Sequence, residues 1–322
     1  MPLFSKIGNR IASSAPARRI VNKSKTTSLP GFRGIPLFDV VKFFISQVRT
    51  VGMTERASAI SFNLVMAIPP AIIFLFTLLP FLPISQKFQQ ELFGLIKDVI
   101  PGEKDHANLI GFLQDFINKP RTGLLSLGFV LSMFFSSNAM MGIQRSFDKG
   151  YIGFRKRKGL QKRGVALKIT LVIFVLVFAS VLLLVARGTV LEFFGIENEN
   201  LKFIITNARW LIILLLFFAC ISYIYRHAPA VDKKWPLINP GAILATILML
   251  ITTLLFSWWV GRFGYYDEFY GSIGTIIMLM VLIFINSLVL LIGFELNASI
   301  TSLRKIADER RNNIADGGGK PK

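Results

Sequence analysis

The sequence predicts an all-α polytopic membrane protein with six transmembrane helices, an N-terminal interfacial helix and an amphipathic helical outer loop. Three observations predict it. The 322-residue chain is 53% hydrophobic, with 30 Phe and a mean hydropathy of +0.57, too apolar for a soluble domain that must keep a polar surface. It contains apolar runs of about 20 residues, the length that crosses the hydrocarbon of a bilayer. Its basic residues gather in every second connecting segment, as the positive-inside bias requires.

The domain organisation follows in chain order. Residues 1–36 carry Arg10, Arg18, Arg19, Lys23, Lys25 and Arg33 among Ser, Thr and Pro, with no apolar stretch long enough for a signal peptide. They read as a basic, mobile cytoplasmic tail. Over residues 37–57, Leu37, Val40, Val41, Phe44, Ile45 and Val48 recur at helical spacing while Asp39, Lys42, Gln47 and Arg49 fall on other faces, which predicts an interfacial amphipathic helix. A six-helix transmembrane domain follows over 58–300, with spans near 59–82, 123–143, 166–186, 203–225, 240–260 and 273–299. Its outer loop, 83–122, holds two amphipathic stretches split by Pro101-Gly102, expected as a surface cap. Residues 301–322 form a basic cytoplasmic tail.

Charge orients the spans. The segment up to Ala57 has 10 Lys plus Arg against 2 Asp plus Glu, the next loop 5 against 5, and the loop from Ser146 to Val165 has 7 against 1. The following segments have 2 against 3, 3 against 1, 1 against 2, and 6 against 3 in the tail from Ile300. The alternation places both termini in the cytoplasm, in the inner membrane of a bacterium once the resemblance below is added. It also accounts for most of the +19 formal charge without a nucleic-acid partner. The expected partners are membrane lipids, with anionic headgroups at the cytoplasmic face.

Several residues stand out at membrane depth. Pro69 and Pro70 interrupt the first span, and helical spacing puts Asn63, Ala67, Pro70 and Thr77 on one stripe, so a kinked helix with a small, polar face is expected. That face reads either as a packing kink or as the lining of a cavity. In the second span Gly128, Ser132 and Ser136 repeat every four residues, a ladder that lets helix backbones approach closely, with Asn138 as the strongly polar addition beside it. Gly241 and Ala245 repeat the ladder in the fifth span. Glu295 is the one carboxylate embedded in an apolar span. A charge there is expected to be functional or paired, and the nearby Arg304 and Lys305, or a helix-end amide, are its expected anchors. Asn286, Gly293 and Asn297 form a second small and polar stripe on that helix.

No catalytic residues, cofactor or metal site are expected. The two histidines, His106 and His227, fall on opposite sides of the membrane, and no acidic cluster or P-loop lysine motif is present. The single cysteine, Cys220, lies in an apolar run and allows no intramolecular disulfide.

Five motifs in order resemble the YihY/BrkB family: Arg56-Ala57-Ser58-Ala59-Ile60-Ser61-Phe62 leading to Ile68-Pro69-Pro70; Tyr225-Arg226-His227-Ala228-Pro229; Trp235 followed by Asn239-Pro240-Gly241-Ala242; Tyr270-Gly271-Ser272-Ile273-Gly274; and Gly293-Phe294-Glu295-Leu296-Asn297-Ala298. The resemblance covers about residues 40–302. It implies a six-helix bacterial inner-membrane protein, in a family once labelled ribonuclease BN and also called a virulence factor. It suggests export or flipping of a lipid or related envelope amphiphile, through a cavity lined by the first, second and sixth helices. A non-transporting scaffold or regulator of envelope assembly is the alternative. The ribonuclease label matches nothing else in the sequence. Two departures are Phe294, where a small residue is expected before the Glu, and Phe62-Asn63, where aromatic residues are common.

Overall fold

The computed structural model describes residues 22–81, 121–185, 199–262 and 266–317, apart from 29–30, 33, 51, 149–150, 153 and 156, together with 110–111 and 114–115. Seven long α-helices run through them. They are α1 (Leu37–Thr50), α2 (Met53–Leu78, closed by a 3-10 turn at Leu79–Phe81), α3 (Thr122–Phe147), α4 (Gly159–Val185), α5 (Glu199–His227), α6 (Pro240–Arg262) and α7 (Tyr266–Gly317). Among the described residues the one extended pairing outside helices is an isolated antiparallel bridge between Phe154 and Val231.

The all-α class and the membrane class both hold. Four helices are long and apolar enough over their described residues to cross a bilayer: Met53–Leu78, Thr122–Phe147, Pro240–Val260 and Ile276–Asn313. The expected third and fourth spans fall on α4 and α5, helices of 27 and 29 residues. Large apolar side chains point outward along these helices, with Leu254 69% exposed and Trp258 62% exposed, a surface that only lipid solvates well. The two amphipathic stretches expected in the outer loop lie outside the described residues apart from 110–111 and 114–115, as does most of the N-terminal tail. Helix α7 runs for 52 residues to Gly317, into the segment expected as the C-terminal tail.

Helix starts obey local chemistry. Gly52 separates α1 from α2 at φ +61°, a left-handed conformation that glycine takes without strain, and its carbonyl accepts from the Arg56 amide in the first turn of α2. The α6 start is a side-chain cap: the Asn239 Oδ1 accepts from the Ala242 amide at 2.8 Å, and Pro240 fills the first helical position.

The chain divides into two compact units. One comprises Met1–Ser58, Arg145–Arg157 and Ile221–Lys322; the other comprises Ala59–Gln144 and Lys158–Cys220. In the first unit α6 packs along α7, and α1 docks on the later turns of α7 through Val40, Ile300 and Phe32, all buried. In the second, the α2 and α3 backbones come close: a Cβ on Gly128 would stand 3.3 Å from the Phe74 Cα. Phe74 also sits 5.5 Å from the Phe129 ring and 5.9 Å from that of Phe174 on α4. The small-residue ladder of α3 is thus where a neighbouring helix approaches. The helix α2 continues through Pro69 and Pro70 without interruption.

Candidate functional site

The first unit holds a buried ion pair. Glu295, on α7, is wholly buried, and its Oε1 accepts from the Arg56 Nη1 at 2.6 Å, with Arg56 only 4% exposed. The second guanidinium nitrogen, Nη2, donates to the Ser146 carbonyl at the end of α3, at 2.5 Å. Tyr151, in the segment between α3 and α4, donates its hydroxyl to the same Glu295 oxygen at 2.5 Å. Four chain segments therefore meet on one carboxylate and one guanidinium. Burial and the Glu295 charge both push the Tyr151 phenol well above its ordinary pKa, so it stays a donor.

The pair is incompletely satisfied. Glu295 Oε2 and Arg56 Nε are both buried with no hydrogen-bond partner among the described residues. An unpaired polar atom in a buried site costs about 1–3 kcal/mol, more when charged. Arg56 also lies in the first turn of a helix, where the macrodipole disfavours a cation, and Glu295 offsets that.

Aromatic rings enclose the pair. The Phe294 ring stacks on Phe147 at 3.9 Å between centroids, with planes 2° apart. Tyr151, Phe154 and Trp235 meet Phe294 at centroid distances of 5.7, 6.1 and 5.7 Å. Phe294, which departs from the small residue expected there, is fully buried at the centre of this cluster. Tyr225 closes it from α5, donating its hydroxyl to the Leu290 carbonyl at 2.6 Å.

A second polar node lies about 200° round α7, two residues on at Asn297. Its Oδ1 accepts from the Gly241 amide at 2.9 Å and its Nδ2 donates to the Asn239 Oδ1 at 2.6 Å, so it holds the capped start of α6. Gly241 and Gly293 make the approach possible. A Cβ on Gly293 would stand 2.5 Å from both the Gly241 carbonyl oxygen and the Tyr225 hydroxyl.

Cations ring the same end. Arg157 donates to the carbonyls of His227, Ala228 and Pro229, closing the exposed end of α5, and burial lowers its pKa from the ordinary value. Asp232 accepts from Arg155 at 2.5 Å and from Lys305 at 3.3 Å. Arg304 pairs with Asp308 at 3.8 Å. The expectation that Arg304 or Lys305 anchors Glu295 is therefore corrected: both are turned to other carboxylates, and the anchor is Arg56, 239 residues away along the chain. They lie about two and a half to three helical turns beyond Glu295 on α7, where Asp308 and Asp232 are within reach and Glu295 is not.

The remaining sequence-singled residues fall elsewhere. In the second unit Asn63 donates to the Ala59 carbonyl at 2.7 Å and lies against Gly142, where an added Cβ would come within 3.2 Å of its Nδ2. Asn138 accepts from Arg163, whose guanidinium also sits 5.0 Å from the Phe134 ring centre. Ala67 and Thr77 are buried, Pro70 and Ser136 half-buried, and Pro69 exposed. Gly274 is buried on α7; Tyr270 and Gly271 belong to the same helix, and their side chains lie outside the described residues. Sequence reasoning missed Arg56 as the partner of Glu295 and Asn239 as the partner of Asn297, and it missed Tyr151 altogether. One signal was present: a lone embedded carboxylate calls for a cation, and Arg56 stands at the mouth of the first apolar run. Nothing in the sequence marked Tyr151. Among the described residues no three His, Cys, Asp or Glu gather as a metal site would.

The sequence matches the family described as virulence factor BrkB over residues 44–316. It is 27% identical over 259 residues to the ribonuclease-like protein YfkH of Bacillus subtilis (strain 168), covering 79% of this chain and 92% of that protein. A UPF0761 membrane protein of Stenotrophomonas maltophilia (strain K279a) is 23% identical over 252 residues, 78% of this chain and 58% of that protein. One from Xanthomonas campestris pv. campestris (strain B100) is 33% identical over 87 residues, 27% of this chain and 20% of that protein. This chain thus spans nearly all of the first relative and a little over half of the second. No solved structure matches. With the match reaching from α1 to the end of α7 and taking in both members of the buried pair, the chain belongs to the BrkB family of membrane proteins.

Proposed function

We propose that this is a six-span, non-enzymatic protein of a bacterial cytoplasmic membrane, with both termini inside, that moves a lipid or envelope-related amphiphile between leaflets. The buried Arg56–Glu295 pair carries the reading. Replacing a buried ion pair by apolar side chains is often neutral or stabilising, so such a pair adds little to stability that packing could not supply. Ionisable residues at membrane depth are by default functional. Here the pair is under-satisfied as well as buried, which suits a contact made to be exchanged.

The chemistry of exchange is specific. A guanidinium recognises phosphate through two parallel N–H donors, and Arg56 has one donor on a carboxylate, one on a carbonyl and one unused. A phosphate-bearing headgroup that reached Arg56 would take the place of Glu295 and release α7 from the start of α2. Glu295, Arg56 and Tyr151 are the residues we assign to this lock, with Asn297 as the hold on α6 that stays closed. Asn63, Pro69, Pro70, Ser136 and Asn138 in the second unit, and Tyr270, Gly271 and Gly274 in the first, are proposed as supporting residues of transport, each within its own unit.

The test is lipid translocation in proteoliposomes, with headgroup-labelled anionic and neutral lipids and a membrane-impermeant quencher. The unaltered chain is expected to speed exchange over empty vesicles. Arg56→Leu together with Glu295→Leu, which leaves no lone charge, is expected to stay folded and monodisperse yet abolish that exchange. No acceleration by the unaltered chain across both lipid classes sinks the transport reading. Full activity in the double variant removes the lock from it and leaves a scaffold's ion pair.

A further inference from the structure

A cavity of about 760 Å³ lies in the first unit, between α1 and the end of α7. It is separate from the Arg56–Glu295 lock. Its walls are apolar: Ile35, Pro36 and Phe43 on one side, Leu303 and Ile306 on the other. Its size falls in the range of sites that hold a drug-sized ligand, about 300–1,000 Å³. Lys42 and Arg310 stand at the cavity, both exposed.

These two cations differ from their neighbours. Arg304 and Lys305, on the same turns of α7, are paired with Asp308 and Asp232. Lys42 and Arg310 have no ion-pair or hydrogen-bond partner among the described residues. The one acid at the cavity, Asp39, lies in the first turn of α1, where its charge answers the helix N-terminus. A cavity with an apolar wall and two free cations fits an amphiphile with an anionic head. The chain's own first 21 residues fit it poorly, since they carry Lys6, Arg10, Arg18 and Arg19 and no acid.

Depth argues the same way. The apolar run of α7 ends near Ser299, and a helix rises about 1.5 Å per residue, so Leu303 lies about 6 Å and Arg310 about 16 Å beyond it. The headgroup layer is about 5–8 Å thick on each side of the hydrocarbon. Leu303 is therefore level with the headgroups, and Arg310 lies beyond them on the aqueous side, its side chain leaning back along α7 toward the membrane. On α1, Val41 and Ile45 are 42% and 45% exposed, as a helix lying in the interface requires.

We infer that the α1–α7 cavity is a binding site for an anionic phospholipid, its phosphodiester held by Lys42 and Arg310 and its acyl chains laid along Phe43, Leu303 and Ile306. The inference rests on the membrane placement of α7 and not on transport. It would stand if the lock proved purely structural.

The test uses the whole chain in zwitterionic vesicles, with Phe43→Trp as the reporter and the unmodified chain subtracted as background. Brominated phosphatidylglycerol and brominated phosphatidylcholine are compared as quenchers at equal mole fraction. The phosphatidylglycerol is expected to associate with the reporter roughly tenfold or more better, since each cation near an anionic surface is worth a factor of about five. Lys42→Gln with Arg310→Gln should erase that preference, and because both side chains are exposed the fold is not at stake. Lys233→Gln with Lys234→Gln, exposed cations away from the cavity, should leave it unchanged. Equal quenching by both lipids, quenching by neither, or a preference that survives the Lys42/Arg310 double variant would each overturn the inference.

Discussion

Removing one partner of the Arg56–Glu295 pair should cost more than removing both. The pair is almost wholly enclosed, with an N–O distance of 2.6 Å and exposures of 4% and 0%. Taking away one member of such a pair leaves an uncompensated buried charge, at a cost of about 3–5 kcal/mol. Glu295→Gln should sit at the high end, because a guanidinium cannot shed its proton and Arg56 would be left with neutral acceptors alone, the Ser146 carbonyl and the new amide oxygen among them. Arg56→Gln should cost less, since the stranded carboxyl can take up a proton and Tyr151 still donates to it. The double change to leucines removes both charges and lets the aromatic rings pack on aliphatic side chains, so it should lie within about 1–2 kcal/mol of the unaltered protein. The cycle is closed with the single changes Arg56→Leu and Glu295→Leu: thermal unfolding of these two, the double variant and the unaltered protein in one detergent reads the coupling directly. Additive losses, with the double variant as unstable as the sum of the singles, would refute the reasoning and show the pair to be solvated in spite of its burial.

Two further outcomes follow from neighbouring geometry. Gly293→Ala should prevent α6 and α7 from closing, because the added methyl meets the Gly241 carbonyl and the Tyr225 hydroxyl at 2.5 Å, one of them rigid backbone; its sign is loss of monodisperse protein on size exclusion, where Ala298→Gly, further along α7, gives a folded protein. The Asp232 carboxyl is held below its ordinary pKa by hydrogen bonds from Arg155 and Lys305, so it binds a proton less readily folded than unfolded. Its contribution is present above the unfolded pKa and is lost as pH falls through the folded one, and Asp232→Asn should flatten that part of the acid limb in melting curves between about pH 5 and 2.

What could be read in advance divides along physical lines. Lipid demands that backbone polar groups be satisfied within a segment, so a long apolar run can be little other than a helix, and each of the six runs falls on one. The cap at Asn239 and the turn at Gly52 are equally local, each set by the chemistry of a few adjacent residues. Glu295 was legible as an anomaly for the same reason, since one carboxylate among apolar residues needs no partner to be noticed. Its partner was not, because a contact across 239 residues leaves no periodicity. Proximity in sequence favoured Arg304 and Lys305, and they are occupied elsewhere. Tyr151 lies in a connecting segment with no repeat to mark it, and Phe294 looked like a departure because its counterpart, Phe147, is far away in the chain.

The two polar nodes of α7 have one consequence that neither has alone. Between apolar helices in lipid there is no hydrophobic force to choose a register, so close backbone contacts and hydrogen bonds must set it. Glu295 and Asn297 differ by about 3 Å along the axis and about 200° around it, so they grip opposite sides of the helix at one level. Asn297 and the Gly241–Gly293 contact hold the α6 side with complete hydrogen bonds and no spare room. Glu295 holds the other side through a pair that keeps unused acceptors and donors. If α7 moves at this level, it should therefore pivot on α6 and release Arg56, and not the reverse. Cross-linking decides between them: a cysteine pair joining α6 to α7 near Gly241 should leave transport intact, whereas one joining the start of α2 to α7 near Glu295 should stop it.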